Sequence, residues 1–253
     1  MESVRKPLSD AERIDWLRLI RTPNVGPRLF AELLDRFGTA GNALDALPEL
    51  SRRGGGRRKF TIPHPDRAAA ELATLRSHDG RMVALCEPDY PETLAAIADP
   101  PPVLFVKGDT AMLSAPAIAI VGARNASSHG RRFAGEIAGQ LGEAGFVVVS
   151  GLARGIDAAA HTGALSTGTV AAVAGGIDVV YPPEHDDLQQ DIAARGALVS
   201  EQPVGTQPTA RHFPARNRLI SGLARGVLVV EAALKSGSLI TSRLALEQGR
   251  EVF

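Results

Sequence analysis

The sequence is short of several things, and each shortage removes a class of reading. It has one cysteine, Cys86, so no disulfide can close within the chain, and a reducing, cytoplasmic setting is expected. Cys86 follows the apolar run "MVAL" and reads as the end of a strand rather than as a nucleophile. Aromatic residues make up 4%, which limits how many bases could stack on side chains. Charge of one sign is missing: 28 Lys and Arg balance 28 Asp and Glu over 253 residues, so a polyanion site must come from local clustering of arginine. No apolar run approaches the roughly 20 residues of a membrane span. The opening "MESVRKPLSDAER" lacks the apolar stretch of a secretory signal. No membrane partner is expected.

Catalytic and cofactor motifs are missing as well. There is no G-x-G-x-x-G for a dinucleotide and no G-x-x-x-x-G-K-[ST] for a nucleoside triphosphate. No H-E-x-x-H or paired C-x-x-C offers a metal site, and no G-x-S-x-G offers a nucleophile elbow. A binding module is favoured over an enzyme, with no cofactor and no metal.

Hydrophobic residues are plentiful at 44%, enough for a buried core. In "LSDAERIDWLRLI", Ser9 and Glu12 have the spacing of a capping box, with Ile14, Leu17 and Trp16 on the apolar face. In "TPNVGPRLFAELLDRFG", Val25-Gly26-Pro27 predicts a tight turn, and Leu29, Leu33 and Phe37 recur every four residues up to the terminator Gly38. Helix, glycine-containing hairpin, helix resembles a helix-hairpin-helix unit, whose amides can meet a DNA phosphate. Simple helical packing is the alternative. Arg52, Arg53, Arg57, Arg58 and Lys59 then flank three glycines, as a solvated linker or a phosphate contact. Residues 1–60 are thus expected to form a small all-α domain with a basic linker, and 61–253 a second domain.

That second domain alternates short β-branched runs ("PAIAIVGAR", "FVVVSG", "TVAAVAGG", "ALVSE", "VLVVEA") with amphipathic helices. The pattern predicts a doubly wound, mostly parallel α/β sheet. In "GRRFAGEIAGQLGEAG", Phe133, Ile137 and Leu141 are expected on one packed face. "EVF" starts a further strand, so the native chain is expected to continue past Phe253.

Ligands of such sheets bind beyond the carboxyl ends of the strands. Five loops converge there, with Arg124, Arg154, Arg211, Arg216, Arg218 and Lys235 as cations. Ser236-Gly237-Ser238 opens a helix with free amides. Gly122, Gly151, Gly155 and Gly237 allow close backbone approach. Arginines spread over several loops suit an extended phosphate backbone. Asp157 is readable as a helix N-cap, His161 as a core histidine and Glu231 as an orienter of arginines. The three could also form an acid/base set, which their spacing does not require.

Together, "GARNASSHGRR", "SGLARGIDAAAH", "GGIDVVYP", "SEQPVG", "HFPARNRLISGL" and "EAALKSGSLITSRLALEQGREVF" resemble the DNA-processing protein A family (DprA, also called Smf), from about Tyr90 to Phe253. The helical N-terminal part is similar to a domain, helix-hairpin-helix or SAM-like, that many members carry. The resemblance implies an extended Rossmann-like domain that binds single-stranded DNA in a positive pocket. It also implies protection of incoming strands, help in loading the RecA recombinase in natural transformation, and a homodimer. By position, Arg124 is the pocket arginine. The loops holding Ser150, Gly151, Arg154 and Gly155, then Arg211, Phe213, Arg216, Asn217 and Arg218, then Lys235, Ser236, Gly237 and Ser238, supply the rest. Tyr181 and Phe213 are the stacking candidates. Where some members carry a lysine after "YP", this chain has Pro183 and Glu184, which shifts the load to the other arginines. Some members add a winged-helix domain beyond this point. The alternative is a Rossmann-like hydrolase of nucleoside monophosphates, but "SGSLIT" stands where those enzymes carry P-G-G-x-G-T-x-x-E.

Overall fold

The computed structural model describes residues 5–53, 60–233 and 236–253. Arg57, Arg58, Lys59 and Lys235 lie outside the described residues.

Helix α1 (Asp10–Ile20) starts at the expected capping box: the Ser9 hydroxyl accepts the Glu12 N–H and the Glu12 carboxylate accepts the Ser9 N–H at 2.8 Å. Helix α2 (Pro27–Phe37) has Pro27 in its first turn and ends at Gly38, whose φ of 78° only glycine adopts freely. Helices α3 (Ala40–Arg53), absent from the sequence expectation, and α4 (Pro65–Ser77) complete a helical layer. Trp16 and Phe30 meet in its core with ring centroids 5.0 Å apart.

An eight-stranded sheet follows, in spatial order β1-β2-β6-β5-β4-β3-β7-β8. Its strands are β1 (Gly80–Ala84), β2 (Val103–Gly108), β3 (Ala117–Gly122), β4 (Val147–Ser150), β5 (Thr169–Ala172), β6 (Ala197–Ser200), β7 (Gly226–Val230) and β8 (Glu251–Val252). From β6 to β8 all neighbours are parallel, whereas β1 and β2 add an antiparallel edge. Strand β1 stops at Ala84, so Cys86 sits in the turn beyond it and not at a strand end. Burial pushes its thiol pKa up to about 11, so it holds its proton at neutral pH.

Period-two alternation decides what each face buries. Ala119, Val149, Ala172 and Val199 point to the face covered by α5 (Glu92–Ala95), α9 (His212–Leu223) and α10 (Gly237–Glu247). Ile120 and Val148 point to the other face, under α6 (Ser128–Glu143) and α7 (Ile156–Ala164). On that same side, Ala171 and Leu198 join a core with α8 (Asp186–Arg195) and the helical layer.

The apolar face of α6 differs from expectation. Gly130, Ala134 and Ala138 are buried, while Phe133 is 44% exposed. The cause is the closeness of α7: a Cβ on Gly163 would collide with the Gly135 carbonyl, so small side chains fill the seam and Phe133 turns outward. No helix among the described residues is long and apolar enough to cross a membrane.

Candidate nucleic-acid interface

The strand order places the reversal of chain direction across the sheet between β3 and β7. This is the crevice in which open α/β sheets bind ligands. A cleft of about 900 Å³ opens there, lined by the loop after β3 (Gly122, Arg124), by α9 (Phe213, Arg216, Asn217) and by the start of α10 (Ser236, Gly237, Ser238). A narrower pocket of about 50 Å³ continues over the ends of β4 and β5, walled by Gly151, Leu152, Arg154, Val173 and Gly175. Arg124, Tyr181 and Phe213 line both.

At that junction Tyr181 and Phe213 are tilted 50° with centroids 5.3 Å apart, and the Arg124 guanidinium lies 5.2 Å over the Phe213 ring. Tyr181 is 46% exposed. The two aromatics named as stacking candidates therefore share one lip with a cation that is exposed and unpaired among the described residues.

Arg216 is placed differently. It is buried, and its Nη1 donates to the Gly151 carbonyl at 2.6 Å and to the Ala172 carbonyl, bracing the ends of β4 and β5. Its Nε has no hydrogen-bond partner among the described residues. Burial pulls its pKa down to about 10, with Asp157 pulling the other way, so it stays charged at neutral pH. Burial likewise raises the pKa of Asp157, and Arg216 offsets that. Losing Arg216 would remove the larger of the two cationic influences, Arg216 and Arg124, that offset the burial of Asp157.

Asn217 donates from Nδ2 to the Gly237 carbonyl at 3.2 Å, tying α9 to the start of α10. Ser236 caps α10 by accepting the Ser238 N–H. Arg211, exposed at the start of α9, has no ion-pair partner among the described residues. Arg154 borders the pocket but pairs with Glu184, the residue that stands after the "YP" in place of a cation. Two expected residues are turned away from the cleft. Arg218 bonds the Asp99 carbonyl at 2.5 Å and the Glu201 carboxylate. Ser150 is fully buried and donates to the Ile120 carbonyl at 2.6 Å.

The glycines fit by necessity. A Cβ on Gly122 would collide with the Val230 carbonyl, and one on Gly155, at φ 77°, with the Ala123 carbonyl. Gly151 faces the Arg216 guanidinium, with an added Cβ only 2.7 Å from its nitrogens.

Asp157 is not an N-cap, because α7 begins at Ile156 and Gly155 holds the cap position. Its carboxylate instead accepts the Gly151 and Ala153 N–H groups of the preceding loop. His161 is fully buried against Thr169, with its pKa lowered to about 3 by burial. Glu231 pairs with no arginine among the described residues. It accepts the Ser127 N–H at 2.8 Å and the Ser127 hydroxyl, sealing the start of α6. No acid/base set forms from the three, and no His, Cys, Asp and Glu cluster suited to a metal occurs among the described residues.

Sequence matches agree with this architecture. The model described as DNA recombination-mediator protein A matches residues 81–253, and a DprA-like N-terminal HHH domain matches residues 10–74. The chain is 44% identical over 185 residues to the DNA processing protein DprA of Bacillus subtilis, covering 72% of this chain and 62% of that one. The crystal structure of DNA processing protein A from Streptococcus pneumoniae superposes with a TM-score of 0.76 at 33% identity, covering 98% of this chain and 87% of that one. DNA processing protein A from Helicobacter pylori, described for its single-stranded DNA binding mode, gives 0.64 at 32% identity, with 69% and 79% covered. The chain spans less than two thirds of the length of the curated relatives such as these.

Proposed function

The chain belongs to the DNA recombination-mediator protein A family, and on that premise we propose that it binds single-stranded DNA in the cleft between β3 and β7. The observation that carries this reading is the pairing of two helix starts at that crevice. The start of α6, where a Rossmann fold usually holds a nucleotide phosphate, is filled by Glu231. The start of α10 lines the cleft together with Arg124 and Arg216. A filled first anion site disfavours a nucleotide hydrolase. The unpaired Arg124, with the buried Arg216 behind it, along an open groove favours a strand held by its backbone, with one aromatic lip for a base.

In this reading residues 61–253 form the DNA-binding domain and residues 1–60 a helical accessory domain. Gly122, Gly151, Gly155, Arg154, Asn217 and the Ser236–Ser238 segment shape the DNA path, with Ser150 and Arg218 bracing it from behind and Lys235 as a further cation for the phosphates. Protection of incoming strands, delivery to the RecA recombinase, a homodimer and a role without catalysis complete the proposal.

The test is fluorescence anisotropy with labelled oligothymidine, single-stranded and duplex, at two salt concentrations, with Arg124→Ala alongside. Preference for the single strand, a steep salt dependence and weaker binding by the variant support the reading. Salt-insensitive binding, or a variant equal to wild type, overturns it.

A further inference from the structure

Resting on the single-strand reading above, we propose that His161 and Asp157 are positioning residues: they hold Leu152 in a left-handed backbone conformation and so set the loop wall against which the strand seats. Leu152 has φ 54°, a region that costs a leucine energy and persists only where the surroundings impose it. Here they do. The Leu152 N–H donates to His161 Nε2 at 3.3 Å, and the Leu152 carbonyl accepts from His185 Nδ1 at 3.1 Å. On either side, the Gly151 and Ala153 N–H groups both donate to Asp157 Oδ2, at 3.1 and 3.3 Å. The Leu152 side chain is 1% exposed and packed in the core, so the backbone is pinned from both directions.

The hydrogen-bond network also fixes the form of the imidazole. Thr169 gives its one hydroxyl proton to the Val148 carbonyl at 2.7 Å, so it must accept from His161 Nδ1–H, also at 2.7 Å. That leaves Nε2 bare and facing the Leu152 N–H, which only a neutral ring of this tautomer can satisfy. Burial keeps the ring neutral.

The wall held in this way is shared by the cleft and the pocket: Gly151, Leu152 and Arg154 border the pocket and Ala153 borders both. Arg216, a cation lining the cleft, leans on the Gly151 carbonyl. A relaxed Leu152 would therefore move a phosphate-facing wall and the seat of a cation together, although His161 lines neither the cleft nor the pocket.

The experiment compares wild type, His161→Leu, Asp157→Asn, and each variant combined with Leu152→Gly, by anisotropy with oligothymidine and by thermal melting of the full chain. His161→Leu is expected to bind at least tenfold more weakly and to melt lower. Adding Leu152→Gly is expected to recover most of the affinity without the stability, because glycine takes φ 54° with nothing holding it. A merely structural histidine would give no such rescue. A folded His161→Leu with full affinity, or a double variant no better than the single one, overturns the proposal. If His161→Leu does not fold, Asp157→Asn with and without Leu152→Gly gives the same comparison. A wild-type chain that fails to bind overturns the single-strand reading itself, and this proposal with it.

Discussion

Glu231 caps the helix that starts beside Ser127, although 104 residues separate them: its carboxylate takes the Ser127 N–H at 2.8 Å and the Ser127 hydroxyl as well. Glu231 does so from φ 51°, and Gly130 makes room, since a Cβ there would lie 2.5 Å from the carboxylate carbon. The hydrogen bonds from Ser127 hold the Glu231 pKa below the usual carboxylate range, with His129 and Arg131 adding to the effect. A fixed anion of the chain's own thus sits where the fold would otherwise attract a phosphate.

Replacing Glu231 with Gln keeps the side-chain length and removes the charge. The melting temperature is expected to fall as the start of α6 loosens. Affinity for oligothymidine is expected to rise severalfold, because a negative charge beside the cleft has gone. Thermal melting and anisotropy check the two halves. A drop in affinity by a fully folded variant would mean that Glu231 supports the strand directly.

Glu184→Ala releases Arg154. The pair is exposed, so little stability is at stake. Arg154 borders the pocket, and a free guanidinium there can add a phosphate contact. The expected result is tighter single-strand binding, with the salt slope steeper by about 0.7 for one added contact. An unchanged slope would place Arg154 off the DNA path.

Much of this was legible in the sequence. The capping box at Ser9, the parallel strands and the convergence of the loops on one sheet edge follow from local chemistry and period-two patterning. What stayed hidden depends on long-range packing. The continuous apolar run "VLFV" in β2 does not say that the strand inserts antiparallel beside β6. Phe133 looked like a core residue until the closeness of α7 left room only for Ala134 and Ala138. Among the arginines of "ARNR", spacing cannot tell that Arg216 points to the cleft and Arg218 to Glu201. Local sequence proposes which cations are present, and the packing of α9 decides which of them face the ligand.

Gly155→Ala tests how tightly the two phosphate-facing loops are locked together. The native φ is 77°, and the new methyl would strike the Ala123 carbonyl and lie 2.6 Å from the Arg124 carbonyl oxygen. Strain and overpacking together predict a loss of about 2–4 kcal/mol, read from the urea midpoint. Gly237→Ala is the control. Among the described residues nothing lies within 4 Å of its added Cβ, so a change under about 1 kcal/mol is expected. Equal effects at the two sites would remove the case for a locked loop pair.

The buried His161 predicts how stability responds to acid. Unfolded, the imidazole takes up a proton below about pH 6.5, whereas the folded chain keeps it neutral down to about 3. Its folded pKa is depressed, so the unfolded state binds more protons throughout that window. Stability is therefore complete above about 6.5 and falls with pH at about 1.4 kcal/mol per unit until the folded value is reached. Asp157 and Glu201, raised by burial, act with the opposite sign, since the folded state protonates them first. Comparing urea unfolding of wild type and His161→Leu at pH 6.5 and 5 isolates the histidine. Wild type is expected to lose about 2 kcal/mol more than the variant over that interval. Parallel losses would mean that the native ring takes up its proton as readily as the unfolded one, which a ring enclosed between Leu152 and Thr169 cannot do.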